Sequence, residues 1–474
     1  MRTAAHLSGS HKPVRTAEST RWDTIPSTQV VLQHPALADL GLATDFLTPL
    51  VRDAIAHLRA DPPPTREAAL DLLVARVTRA AAVLDLSPRQ YINATGIVIH
   101  TQWGNAPLAR TAQERLLSAT GASPTGARAL GDRSAICERL LVALTDAEAA
   151  TVTTQNAASC LLVGAALGHG RELVCAARDL VEISHGARLR DLLEACGARV
   201  VPVGAANCVY PDDYRRAISP TTAAIVRIHA ANTTTTGYTA HVDTTALAEV
   251  ARAASIPLVV NLGSGSLVDL QDKDLPAAPV IRDVLRDGAD LVLASGDKLI
   301  GGPQAGIIAG RRTLVERLAR HPVARSCRPG KLTLAALEAT LATYVRGRAW
   351  TEIAVLRLLA ASVDDLRVRA HVIATQVRTG NLVVSVREDT TECGGAALPG
   401  RVLPTWTLRL THLLLGCDTV HYALFNRGIL TRRRDNSVVV DLRSVLPEDD
   451  AVLITMLRGL AGSAGNGQHA ERAS

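Results

Sequence analysis

Apolar positions change their spacing along the chain, and each change marks a region of different structure. From Thr24 to about Leu86 they recur at helical intervals, with Val51, Ala54, Ile55 and Leu58 in one stretch and Ala69, Leu72, Leu73 and Val77 in the next. Asp61-Pro62-Pro63-Pro64 interrupts the pattern, because proline lacks a backbone donor and its ring clashes with the preceding helical turn. The spacing predicts a small helical domain over residues 21–88.

From about Tyr91 to Arg320 short β-branched runs alternate with longer Ala/Leu-rich ones. Thr151-Val152-Thr153, Leu173-Val174-Cys175, Arg199–Val203, Ala224–Ile228, Leu258-Val259-Val260 and Leu291-Val292-Leu293 read as strands. Continuous apolar strands separated by helices predict a parallel sheet covered on both faces. In such sheets ligands bind beyond the carboxyl ends of the strands, so the residues just after these runs are the first candidates for chemistry. A long helix begins after Leu332 on Leu334, Leu337, Leu341 and Tyr344, and strands at Leu382–Val386 and Val438–Val440 fit a smaller α+β domain. The expected division is a large domain at 89–345 and a small one at 346–461, with disordered ends at 1–20 and 462–474.

Composition narrows the function classes. Hydrophobic residues make up 47% of 474 residues but aromatics only 3%, which weakens any model of nucleic-acid binding by base stacking. A net charge of +6 is compatible with a polyanionic partner or with a solvated basic surface. No apolar run is long enough to cross a bilayer, and the N-terminus lacks a basic flank followed by an apolar core, so neither a membrane span nor secretion is expected. Eight scattered cysteines form no C-x-x-C pair and no zinc-type cluster, which points to a reducing cytoplasm and no metal site.

The chain has four lysines among 51 basic residues, so arginine fills most positions where any cation would serve. One of the four, Lys298, sits between a strand and a glycine turn in Ser295–Gly306. A lysine amine shed of water can attack an aldehyde to form an imine, which a permanently protonated guanidinium cannot do. That is the linkage by which pyridoxal 5′-phosphate (PLP) is held. Segments after two other strands converge on the same reading: Asn261-Leu262-Gly263-Ser264-Gly265-Ser266, and Thr154-Gln155-Asn156-Ala157-Ala158 at the start of an Ala/Leu-rich helix that can hold a phosphate. The cofactor-binding candidates are Thr154, Asn156, Ala157, Asn261, Ser295, Asp297 and Lys298, with His185 as a ring to stack on the pyridine.

Tyr91–Thr101, Leu262–Leu270, Ser295–Gly306 and Lys331–Thr340 together resemble the bacterial L-seryl-tRNA(Sec) selenium transferases, or selenocysteine synthases, in order from about residue 25 to about 460. The resemblance implies a fold-type-I PLP-dependent transferase, α/β with a mainly parallel sheet, that makes selenocysteinyl-tRNA from seryl-tRNA(Sec) and selenophosphate. It also implies a homo-oligomer, a decamer in the family's known form, with the N-terminal helices gripping tRNA; neither DNA nor membrane is an expected partner. Lys298 is then the catalytic lysine that holds PLP and removes the α-proton, and Arg325 and Arg328 match the arginines that take the selenophosphate phosphate.

Three departures fall near the expected pocket. Asn261 stands where the family has an aspartate that keeps the pyridine nitrogen protonated. Asn105 stands where it has a phosphate-binding arginine, and Gly204-Ala205-Ala206-Asn207-Cys208 replaces a Gly-Thr-Thr-Asn-Arg run. The segment from Ser123 to Arg133 is shorter than its family counterpart, and Arg128, Arg133 and Arg188 are candidates to compensate. These changes leave two alternatives: a diverged PLP enzyme acting by β-elimination or replacement on a small amino acid, and a non-catalytic tRNA-binding member.

Overall fold

The computed structural model describes residues 24–60, 62–82, 91–121, 134–184, 186–229, 231–378 and 380–461. The two ends expected to be disordered, the compensating candidates Arg128 and Arg133, and His185 fall outside these residues. The chain divides into two compact units, 1–90 and 91–474.

The first unit is helical: α1 (Thr28–Leu32), α2 (Pro35–Ala38), α3 (Thr44–Leu58) and α4 (Arg66–Ala82). The Ser27 hydroxyl accepts from the Val30 N–H and so caps α1. Leu47, Val51, Ala54 and Ile55 of α3 join Leu73, Val74, Val77 and Ala81 of α4, with Val31 and Leu37, in one core. Leu72, read from the sequence as part of this stripe, is 52% exposed. Leu73 and Val77 stand one turn apart on the buried face, and Leu72 is rotated by about 100° from Leu73.

The second unit is built on a seven-stranded sheet of β1 (Ala149–Thr153), β2 (Glu172–Ala176), β3 (Arg199–Val203), β4 (Thr222–Ile228), β5 (Leu258–Asn261), β6 (Leu291–Ser295) and β7 (Gly306–Gly310). Their spatial order is β1-β7-β6-β5-β4-β2-β3. β3, β2, β4, β5 and β6 pair in parallel, and β7 runs antiparallel to both β6 and β1. Successive side chains enter opposite cores: Val174, Ile225, Val260 and Val292 pack on one face, and Leu173, Ala224, Val259 and Leu291 on the other. This two-sided burial is why the strands read as unbroken apolar runs.

β7 is not among the strands that the sequence pattern marks, and only its first residue falls in the glycine turn Ser295–Gly306. Its first residue, Gly306, lies so close to Thr153, Ser159 and the Gln155 carbonyl that any Cβ there would overlap them. Only glycine lets this strand lie against the start of the helix α5 (Asn156–Gly168).

A second layer contains the antiparallel sheet β8 (Leu382–Glu392), β9 (Val402–His412), β10 (Arg432–Arg434) and β11 (Ser437–Asp441), in the order β8-β9-β11-β10. Its core joins Val384, Leu408, Val438 and Val440 to Leu366 and Ile373 of the helix Val363–Val377 and Leu457 of the helix Asp450–Ala461. Ile92 and Ala94 also belong to this core, and Ile92–Asn93 pairs in parallel with Ile429–Leu430. The chain thus touches the C-terminal layer before it builds the large sheet. Among the described residues no helix is long and apolar enough to cross a membrane.

Candidate functional site

β6 ends at Ser295, and the chain then folds into a tight turn. Gly296 N–H donates to Ala305 O at 2.8 Å, Gly301 N–H to Lys298 O at 2.9 Å, and Gly302 N–H to Gly296 O at 2.8 Å. Gly301 has φ +69°, and a Cβ there would also overlap Ile353 and Val355, so this position requires glycine. Leu299 and Ile300 are fully buried, and the Tyr344 hydroxyl donates to Ile300 O at 2.9 Å. The turn is therefore anchored on both sides of Lys298. Burial lowers the pKa of the Lys298 amine, with neighbouring Asp297 acting the other way, so more of it is free base than for an ordinary lysine.

At the end of β5, Asn261 is buried inside a polar network. Its Oδ1 accepts from Asn156 Nδ2 at 2.9 Å and from the Gly263 N–H at 3.0 Å, while its Nδ2 donates to Cys160 Sγ at 3.2 Å. Burial pushes the Cys160 thiol up to about 12, so it remains a thiol at neutral pH. His229 follows β4 directly, and its N–H donates to Asn261 O at 2.8 Å. Burial and then Arg227 lower the His229 pKa, which favours the neutral ring.

Asn105 reaches the same place from a distant part of the chain. Its Nδ2 donates to Asp297 Oδ2 at 2.5 Å, and the Ala106 N–H donates to Asp297 O at 3.0 Å. Gly104 and Asn105 have φ 94° and 66°; asparagine is among the few side chains that accept this region.

The other residues singled out from sequence divide into two groups. Ser295 is buried, its N–H donating to Gly263 O at 3.0 Å, which ties the β6 end to the β5 end. Asn156 and Ala157 open α5, where the Gln155 side chain makes no cap. Thr154 stands just before, its N–H already donating to Cys327 O at 2.8 Å. Arg325 and Arg328 flank that Cys327 and line a cavity of about 830 Å³ with Ser134, Glu138, Thr151 and Thr153. Neither Lys298 nor Asn261 is part of that lining. Arg188 is exposed in a short strand, Ala187–Arg188.

Buried polar atoms test whether PLP suits this site. Asn156 Oδ1, His229 Nδ1 and Ser264 Oγ are buried and have no hydrogen-bond partner among the described residues. All three belong to residues bonded to Asn261 or within three positions of it. Such groups need partners, and a pyridine carrying hydroxyl, ring nitrogen and phosphate supplies them beside an amine of lowered pKa. The residues fit the group. His229 was missed from sequence, although it follows the apolar run Ala224–Ile228 just as Asn261 follows Leu258–Val260, and Ser264 was named only as part of the run after Asn261.

Comparison with known proteins agrees. A family model described as L-seryl-tRNA selenium transferase matches residues 91–446. The L-seryl-tRNA(Sec) selenium transferase of Moorella thermoacetica is 37% identical over 396 residues, 81% of this chain and 84% of that protein. That of Desulfovibrio desulfuricans is 37% identical over 444 residues, 89% of this chain and 92% of its own length. A solved structure of D-glucosaminate-6-phosphate ammonia-lyase superposes with a TM-score of 0.56 at 21% identity, covering 80% of this chain and 98% of that one. The likeness is one of fold, and the fold is the type-I PLP architecture that the family resemblance implies, built on the parallel sheet that the strand pattern predicts. By the span of the family match and by the identity of these relatives, the chain belongs to the L-seryl-tRNA selenium transferase family.

Proposed function

We propose that this chain, with PLP and selenophosphate, converts L-seryl-tRNA(Sec) into L-selenocysteinyl-tRNA(Sec). The observation that carries the reading is Lys298, a lysine of lowered pKa held in a glycine turn beside a buried polar network centred on Asn261. Bound PLP supplies an aldehyde for an amine and a ring that accepts the electron pair left when the α-proton departs. Lys298 Nζ would hold the cofactor and, when the seryl group occupies the site, would serve as the base for the α-proton. Asn261 and Asn156 position the ring as neutral hydrogen-bonding partners, and the start of α5 suits the cofactor phosphate. The serine hydroxyl is replaced by selenium from selenophosphate, and phosphate is released.

Arg325 and Arg328 supply forked donors for the phosphate group of selenophosphate. Asn105 does not take the part of a third phosphate cation, since its amide faces Asp297. The helical unit α1–α4 is the part we assign to tRNA, and the working form is taken to be a cytoplasmic homo-oligomer.

The test is substrate choice by the PLP-loaded chain. Serine-charged tRNA(Sec) should be consumed and free L-serine left intact. Turnover of free serine with no use of the charged tRNA would sink this reading.

A further inference from the structure

Aromatic side chains are scarce in this chain, four Trp, six Tyr and two Phe in 474 residues, yet three of them meet at one spot. Tyr91 and Phe425 have ring centroids 5.5 Å apart, and Trp103 lies 5.6 Å from the first and 6.0 Å from the second. Trp103 is nevertheless 45% exposed. A cluster serving only to fill a core would bury its largest ring; a half-exposed Trp backed by two further rings presents a rigid flat face on which a planar group can stack.

Its placement says what it faces. Trp103 ends the short turn Thr101–Trp103, and two residues later Asn105 bonds Asp297, the neighbour of Lys298. The backbone between them borders open space at Gly104, where an added Cβ would meet nothing within 4 Å. The His100 ring lies 6.4 Å from Trp103 and carries a buried Nδ1 with no partner among the described residues. Burial lowers its pKa, and a neutral imidazole offers one donor and one acceptor.

We infer that Trp103, backed by Tyr91 and Phe425, is a stacking platform for the terminal adenine of the charged tRNA, with His100 as a hydrogen-bonding partner for its base or ribose. The inference rests on the proposed use of serine-charged tRNA. In any charged tRNA the aminoacyl ester sits on the ribose of the terminal adenosine. With the seryl group at Lys298, the base lies across its own ribose from the ester, and Trp103 is carried toward it by the segment whose Asn105 bonds Asp297. Stacking on an aromatic face needs no sequence readout, which suits an end shared by all tRNAs. The platform sets the depth to which the ester enters, while tRNA identity is read elsewhere.

The experiment measures affinity of the PLP-loaded full chain for uncharged tRNA(Sec), intact or lacking its terminal adenosine. It compares the native protein with Trp103→Ala and Trp103→Phe. Removing the adenosine should weaken binding to the native chain about ten-fold, the scale of one stacked base. Trp103→Ala should weaken intact tRNA by the same factor and lose nothing further with the shortened one, while Trp103→Phe should recover most of the affinity. Equal sensitivity to the missing adenosine in native and Trp103→Ala protein overturns the inference. If Trp103→Ala instead lowers the molar mass by light scattering and leaves the adenosine dependence unchanged, the cluster is a contact between copies and the platform is refuted. A native chain that binds neither tRNA refutes the proposed function and the platform with it.

Discussion

Asn156 donates its side-chain amide to Asn261 Oδ1 at 2.9 Å, so two neutral residues share the polar centre of the site. The Gly263 N–H donates to the same oxygen, and the second amide atom of Asn261 faces the Cys160 thiol. Aspartate at 261 keeps an acceptor toward Asn156 and Gly263 and can accept from the thiol, so the surroundings tolerate the change. It adds the negative charge that stabilises a protonated pyridine nitrogen. Asn261→Asp should raise kcat on seryl-tRNA(Sec) on the order of ten-fold, equivalent to about 1.4 kcal/mol of barrier. A fall in kcat at unchanged PLP occupancy would show that the reaction needs a neutral partner.

The contact between Asn105 and Asp297 makes a second test. Asn105→Asp places a carboxylate against Asp297, and two close carboxylates cannot both ionise without cost. One of the pair then titrates above the ordinary range in the folded state, so stability is retained in acid and lost as pH rises through that raised value. Denaturant unfolding should show this variant losing about 1–3 kcal/mol at pH 8 and less at pH 5. Equal losses at both values would contradict the pairing.

Lys298 carries a pH signature of the opposite sign. Burial holds its folded pKa below the unfolded value of 10.5, so between those two values the unfolded chain binds the extra proton. The charged amine therefore destabilises the cofactor-free fold at low and neutral pH, and the penalty fades as pH climbs through the window to 10.5. Lys298→Met should raise the melting temperature of the cofactor-free protein by a few degrees at pH 7, with the gain shrinking toward the upper end of that window. The same variant should lose the visible absorbance that PLP acquires on a lysine, and retention of that absorbance would remove Lys298 from its assigned role.

Arg325 and Arg328 line one cavity. Arg325→Ala and Arg328→Ala should each raise KM for selenophosphate ten-fold or more, since a hydrogen bond to a charged group contributes about 1.5–3 kcal/mol. Affinity for tRNA(Sec) should stay within about two-fold, the uncertainty of such comparisons. A loss of tRNA affinity with an unchanged selenophosphate KM would move these arginines to the nucleic-acid surface.

Legibility in the sequence followed burial. β2, β4, β5 and β6 were plain because strands covered on both faces are apolar throughout, and Lys298 and Asn261 were plain because Asn261 ends β5 and Lys298 stands three residues beyond the end of β6. β7 was hidden because it opens on Gly306, the last residue of the stretch read as a glycine turn, and ends on Gly310, leaving only three apolar residues between the glycines its close packing requires. Asn105 read only as a lost arginine; that its amide meets Asp297 depends on a contact across 192 positions that no local spacing encodes. The aromatic trio was invisible for the same reason. Its members lie at 91, 103 and 425, and the low total of aromatics argued against any stacking surface until the fold gathered them.

The most direct measurement follows labelled selenium from selenophosphate into serine-charged tRNA(Sec), using the PLP-loaded chain with Lys298→Ala as the blank. The account predicts label in the aminoacyl ester, recovered as selenocysteine on mild hydrolysis, with the native protein and none with the blank. Native protein that holds PLP on Lys298 and binds the charged tRNA, yet leaves both the serine ester and the selenium unchanged, would contradict it.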